Sequence, residues 1–263
     1  MVTKQDVFQM MEGFRIRRND KVTVHSSLRK IGEIEGGADG LLNAMIEYLD
    51  GGLLIIPTHT WDSIGATRYY NVKETKPCVG ILSQIAAFRK DGVRSLHPSH
   101  SVAVFGKGAD EFIRGEETCN TPTPKNSCLG RLYEENGKIL LLGVGLESCT
   151  FLHSVDERFN IPNRLSRDSI PVKVVDYDGN EIVIPDFHWF YTQSVPEGCS
   201  EHFGNYEKAL LYCGAMSESS LGNAKCFCLD ARKTADTVKM LWDKADYDLC
   251  SKDREIPEFY YKF

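Results

Sequence analysis

The sequence predicts an α/β fold: a central mixed, largely parallel sheet flanked by helices, with an antiparallel β-hairpin or lid inserted near residues 170–205. Three observations predict it. Short apolar runs alternate with segments of helical apolar spacing over the first 160 or so residues. Asp178-Gly179 then separates two strand-like runs, a strong hairpin signal. Finally, 263 residues, 42% of them hydrophobic, suffice for one large core, so a single domain spanning 1–263 is expected.

The elements follow in order. Lys21 to Ser26 alternates around Val22 and Val24, as a strand does. Leu41, Leu42, Met45, Ile46 and Leu49 share one helical face from Ala38 to Leu49, and Asp50-Gly51-Gly52 stops that helix. Leu53 to Ile56 is a continuous apolar run, a buried strand closed by Pro57. Gly80 to Arg89 reads as a helix, Ser101 to Phe105 and Ile139 to Leu142 as strands, and Thr150 to Phe159 as a helix. Ile170 to Asp176 and Glu181 to Pro185 form the hairpin. A helix around Tyr206 to Tyr212, a strand from Ala224 to Leu229 and a helix from Ala231 to Trp242 complete the chain.

Composition narrows the function classes. The net charge of -6 argues against general nucleic-acid binding, which favours basic surfaces, and is compatible with a cationic substrate. No apolar run approaches the roughly 20 residues of a membrane span, and Met1 to Arg18 lacks a signal-peptide core. Nine scattered cysteines fit reduced thiols in a cytoplasmic protein. Cys226-Phe-Cys228 is weak zinc evidence without a second pair; in a strand the two side chains share one buried face.

Candidate chemistry gathers at the expected C-terminal ends of strands, where open α/β sheets bind ligands. His25-Ser26-Ser27, Thr58-His59-Thr60-Trp61 and Gly143-Val144-Gly145 all begin there. Gly143-Val-Gly145 lacks the third glycine and the later acidic residue of a dinucleotide fingerprint, so a nicotinamide site is rejected. His153, Asp156 and Glu157 stand at i, i+3 and i+4 on one helix face. A carboxylate one turn away can fix an imidazole tautomer and raise its basicity; the plainer alternative is a surface His–Asp contact. His97-Pro-Ser-His100-Ser101 has its backbone constrained by Pro98; Ser101 with adjacent amides is a candidate contact for pantetheine or phosphate, and the alternative is a structural loop whose histidines cap backbone groups. Arg94 is a candidate phosphate partner. Cys149, four residues before His153, offers a Cys–His pair, although a buried thiol is the ordinary reading.

Taken in order, these segments resemble the aminoglycoside 3-N-acetyltransferase family. The resemblance runs from about Val22 to Arg164. It is carried by His25-Ser-Ser-Leu28, Pro57-Thr-His-Thr60, Arg94-Ser-Leu-His-Pro-Ser-His-Ser101, Ser127-Cys-Leu-Gly130, and Leu141-Leu-Gly-Val-Gly145 leading to Thr150-Phe-Leu-His153. It implies acetyl-CoA as co-substrate, a small-molecule amine as acceptor (the 3-amino group of an aminoglycoside) and no metal. It implies His153 as general base, with Asp156 where the family carries glutamate and Glu157 as the alternative partner. Ser26, Ser27, Leu28, His100, Ser101 and Val102 would line the acetyl-CoA groove, and donors near Ser26 and Ser27 would stabilise an oxyanion in direct transfer. A cationic acceptor calls for an acidic pocket, for which Asp186, Glu197 and Glu201 are candidates by charge and position. Alternatives are another amine acceptor, a CoA-binding protein without turnover, and hydrolysis by Cys149 and His153. A homodimer is compatible with the sequence.

Overall fold

The computed structural model describes residues 1–191, 195 and 198–262. Among the described residues ten strands occur in chain order: β1 Lys21–Ser26, β2 Leu53–Pro57, β3 Tyr69–Asn71, β4 Val93–Arg94, β5 Val102–Phe105, β6 Lys138–Leu142, β7 Ile170–Val175, β8 Glu181–Phe187, β9 Met216–Leu221 and β10 Ala224–Asp230. The α-helices are α1 Lys4–Gly13, α2 Leu28–Ile31, α3 Gly37–Tyr48, α4 Trp61–Thr67, α5 Ile81–Ala86, α6 Ala109–Ile113, α7 Cys128–Glu134, α8 Phe151–Arg158, α9 Glu207–Tyr212 and α10 Ala231–Lys244.

Seven strands form one mixed sheet in the order β4-β5-β2-β1-β6-β10-β9. Its parallel pairings lie at the centre, where β1 runs beside both β2 and β6. Antiparallel pairs extend it on both sides. Alternate residues of each central strand enter opposite cores, the period-2 consequence of the pleat. Leu54, Ile56, Leu140, Leu142, Cys226 and Cys228 pack with α1, α3 and α5. Ile55, Ile139, Leu141, Phe227 and Leu229 pack against α6 to α10. Cys226 and Cys228 thus share one buried face, and the structure contains no disulfide among the described residues.

A second sheet, β3-β7-β8, contains the expected hairpin. Its turn is built by Asp176, whose Oδ1 accepts from the Asp178 and Asn180 amides at 2.8 Å each, while Gly179 takes φ +86°. The tip is pinned to the main sheet: Tyr177 Oη accepts from the Arg94 amide at 2.8 Å and donates to its carbonyl at 3.0 Å. Among the described residues of the expected lid, β7 and β8 form the antiparallel strand pair. From Cys199 to Tyr206 the chain is a 3-10 helix whose Cys199, Phe203 and Tyr206 are buried.

Three strands (β3, β4 and β9) and five helices escape the apolar pattern: α1, and the short α2, α4, α6 and α7 of four to seven residues. In β9, Ser217 to Ser220 are exposed, as suits an edge strand; only Gly222-Asn223 marks its turn into β10. β3 and β4 are only three and two residues long. α1 begins at a capping box in which the Thr3 amide donates to Asp6 Oδ2 at 2.8 Å and Thr3 Oγ1 accepts from the Asp6 amide at 3.3 Å. Among the described residues no helix is long and apolar enough to cross a membrane.

Leu141 lies fully buried in β6 between β1 and β10. Leu141→Ala is expected to lower unfolding stability by roughly 2–5 kcal/mol, measured by urea denaturation at unchanged m-value.

Candidate active site

The parallel pairing of β1 with β6 aligns Ser26 with Leu142, so both strands end at one sheet edge. The Ser27 amide donates to the Leu142 carbonyl at 2.8 Å, and the Gly143 amide to Lys225 at 3.0 Å. The chain beyond β2 (Thr58 to Thr60) arrives at the same edge through Thr58 N to Ser101 O at 2.7 Å and Thr60 N to Ser99 O at 2.8 Å. A cavity of about 920 Å³ opens there. His25, Ser26, His59, His100, Thr150 and His153 line it, and Trp61, Phe187, Trp189, Phe190 and Tyr191 supply aromatic walls.

His153 projects from α8 and is 9% exposed. Its ring stacks on Phe190 at 3.9 Å between centroids and meets the edge of Phe203 at 4.9 Å. Nδ1 lies 3.9 Å from Cys199 Sγ. Burial, and then the positive charge of Arg164, push its pKa down to about 3, so the imidazole is neutral. His59 Nε2 is 3.1 Å from Thr150 Oγ1, one turn before His153 on the chain, and its ring lies 4.6 Å from that of His100. His100 Nδ1 pairs with Ser99 Oγ at 2.8 Å. Behind them, His97 Nδ1 accepts from the Ser99 and His100 amides at 3.3 and 3.0 Å. Its Nε2–H therefore donates to the Thr121 carbonyl at 3.1 Å.

The two carboxylates near His153 have other partners. Asp156 Oδ2 pairs with Arg164 Nε at 3.2 Å, and Arg164 also holds Asp248 at 2.8 and 3.0 Å. Burial outweighs the arginine and raises Asp156 to about 7. Glu157 accepts from Thr121 Oγ1 at 2.5 Å, the Thr123 amide at 2.6 Å and Thr123 Oγ1 at 2.8 Å. It braces the Thr121–Thr123 turn, so the expected orienting bond to His153 is not what its oxygens make. Asp156 stays near: its carboxylate, His153 and Cys199 offer ligand atoms all within 4.8 Å of one another.

Of the expected groove residues, Ser26 and His100 line the cavity, whereas Ser27, Leu28, Ser101, Val102 and Arg94 are not among its lining residues. Ser27 sits at the N-cap of α2, and Val102 packs into the sheet core. Ser101 Oγ donates to the Thr58 carbonyl at 2.7 Å and is fully buried. Arg94 is 1% exposed, and its guanidinium is committed to Thr58, Val72 and Thr75. It ties two loops together by donating to the Thr58 hydroxyl and to the Thr58, Val72 and Thr75 carbonyls, rather than standing free for the phosphate contact expected of it. Asp186 and Glu201 are also outside the lining; Asp186 approaches Asn120 Nδ2 at 3.5 Å. Glu197 lies outside the described residues. Cys149 caps the 3-10 turn Leu146–Ser148 just before α8, and burial raises its thiol to about 12. The thiol beside His153 is Cys199, 46 residues away in sequence and invisible to local spacing. His59 lines the cavity, as its place after a strand end predicts, whereas Phe190 carries no signal beyond the dense aromatic run Trp189-Phe-Tyr191.

The family model described as aminoglycoside 3-N-acetyltransferase matches residues 23–242. The chain belongs to the aminoglycoside 3-N-acetyltransferase family. Membership makes it an acetyltransferase, in a family whose co-substrate is acetyl-CoA. The chain is 30% identical over 217 residues to aminoglycoside N(3)-acetyltransferase IV of Salmonella sp, covering 82% of this chain and 77% of that protein. It is 26% identical over 267 residues to an aminoglycoside N(3)-acetyltransferase III of Salmonella sp, covering 88% of each. Among solved structures, aminoglycoside acetyltransferase AAC(3)-IIb superposes with a TM-score of 0.76 at 23% identity, covering 93% of this chain and 98% of that one. The CoASH binary complex of AAC-IIIb also gives a TM-score of 0.76, at 19% identity, covering 92% and 97%. These likenesses establish the mixed-sheet fold.

Burial of the histidine cluster has a consequence for stability. His25 and His97 are depressed to about 4, His153 to about 3, and His59 and His100 well below 6.5. Unfolded histidines titrate near 6.5, so between pH 6.5 and 4 the unfolded chain binds more protons, and stability is lost as pH falls. Raised Glu116, Asp156 and Glu157 oppose this, each favouring low pH, but they are fewer. The melting temperature is therefore expected to fall between pH 6.5 and 4.5; a thermal-shift series showing a flat or rising profile would contradict this assignment.

Proposed function

We propose that this chain transfers the acetyl group of acetyl-CoA directly to an amine, with His153 as general base. The observation that carries the reading is a neutral, buried imidazole opening on the cavity at the strand ends. The amine nitrogen attacks the thioester carbonyl carbon while His153 accepts the N–H proton. The tetrahedral intermediate collapses as the C–S bond breaks, and CoA leaves as thiolate and is protonated to the thiol. Burial alone disfavours the imidazolium. Negative charge developing on the thioester oxygen, and an ionised Asp156 close by, favour it. Ser26 and His100 are the groove residues best placed to meet the thioester arm, since both line the cavity.

The names of the relatives supply the first acceptor reading: the 3-amino group of an aminoglycoside. The charge of the cavity favours a second. Among the described lining residues, Glu147 is the sole carboxylate and Arg68 stands as a cation. Glu147 Oε1 already accepts from the Gly145 amide at 2.9 Å. A polycation entering this site meets little compensating charge, whereas Trp61, Trp189 and Tyr191 suit an amine on a flatter, less charged body.

Thiol release from acetyl-CoA, followed across aminoglycosides with a free 3-amino group and across aryl-alkyl monoamines, separates the two. His153→Ala is expected to lower kcat by ~10²–10⁴-fold while calorimetry shows CoA binding within a few-fold of the parent. Undiminished turnover in the variant would remove His153 from the reaction.

A further inference from the structure

Cys199 is used by no step of the proposed transfer, yet it lies against the base. We propose that His153, Cys199 and Asp156 form a site for one divalent ion of zinc-like softness, whose binding silences His153.

The donor set is a nitrogen, a sulfur and a carboxylate oxygen, the ligands that zinc takes. Tetrahedral zinc with bonds of about 2.0–2.3 Å sets neighbouring donors roughly 3.3–3.8 Å apart. Here His153 Nδ1 and Cys199 Sγ are 3.9 Å apart, and all three ligand atoms lie within 4.8 Å of one another. Binding requires side-chain rotations that draw the donors together by up to roughly 1.5 Å. All three residues are buried, so little water competes. His153 and Cys199 face the cavity, which leaves a route for the ion and a fourth position for water or a thiol.

The local charge also suits a dication. Arg164 neutralises one of its two aspartate partners, Asp156 and Asp248, leaving one negative charge. A Cys199 thiolate adds a second, and M²⁺ balances both. Binding releases the proton of the Cys199 thiol and any proton held by Asp156. His153 needs no deprotonation, because its imidazole is already neutral. Once Nδ1 coordinates, the ring's single proton sits on Nε2, and no lone pair remains to accept the amine proton. The ion is thus an inhibitor, and a thiol chelator restores the base. Inhibition rests on the acetyl-transfer reading; binding of the ion does not.

The test titrates the metal-free protein with Co²⁺ and Zn²⁺. One Co²⁺ per chain is expected, with a thiolate-to-cobalt charge-transfer band that one equivalent of Zn²⁺ abolishes. Cys199→Ser and Asp156→Asn are each expected to weaken Zn²⁺ binding by ~10–100-fold or more, with Cys199→Ser losing the band, whereas Cys149→Ala keeps the site. Where the wild type turns over acetyl-CoA, Zn²⁺ is expected to stop it and EDTA to restore it. A wild-type protein without the thiolate band, or a Cys199→Ser variant that keeps it, overturns the site. Binding with the band but without inhibition overturns the silencing of His153 and leaves the metal site standing.

Discussion

Parallel pairing of β1 with β2 and β6 is the constraint on which the rest of the molecule depends. Parallel neighbours end at the same edge, so the residues following each strand are delivered to one place. That geometry brings His25 and Ser26, His59, and the turn leading to Thr150 and His153 to one cavity from segments far apart in sequence. Two apolar cores, one on each face, hold the strands in register. A one-residue slip would turn Leu140 and Leu142 toward the wrong helices and move the site residues with them.

Burial then sets the chemistry. The histidines at this edge are kept neutral by desolvation rather than tuned by carboxylates. Asp156 and Glu157 have protein partners of their own: Arg164 for the first, the Thr121–Thr123 turn for the second. His153 is positioned by Phe190, Phe203 and α8, a packing solution to an orientation problem. The same enclosure that makes it a neutral acceptor of protons also makes it, with Cys199 and Asp156, a ready nitrogen–sulfur–oxygen donor set.

Much of this was legible in the sequence where the signal is local. Leu53 to Ile56, Ile139 to Leu142 and the Asp178-Gly179 hairpin announce themselves by period and turn chemistry, and their structures follow. The polar edge strand β9 was not legible, because its exposed serines carry no hydrophobic alternation. In the site, His153 and His100 stood out by motif. Arg94 stood out as a phosphate partner but is a buried tie between loops, a role that only tertiary burial reveals. His59 was legible from its place just after β2, whereas Cys199 reaches the cavity by long-range folding, which residue spacing does not encode. Asp186 and Glu201, expected from charge to form an acidic pocket, are not among the lining residues of the cavity.

The central claim is that His153 is held neutral by burial at the shared edge of the parallel strands. An NMR pH titration of the His153 imidazole, assigned by its loss in His153→Ala, tests it most directly. The account predicts a ring that stays neutral from pH 7 down to about 4, consistent with a pKa near 3. A ring that protonates near the ordinary 6.5 would contradict it.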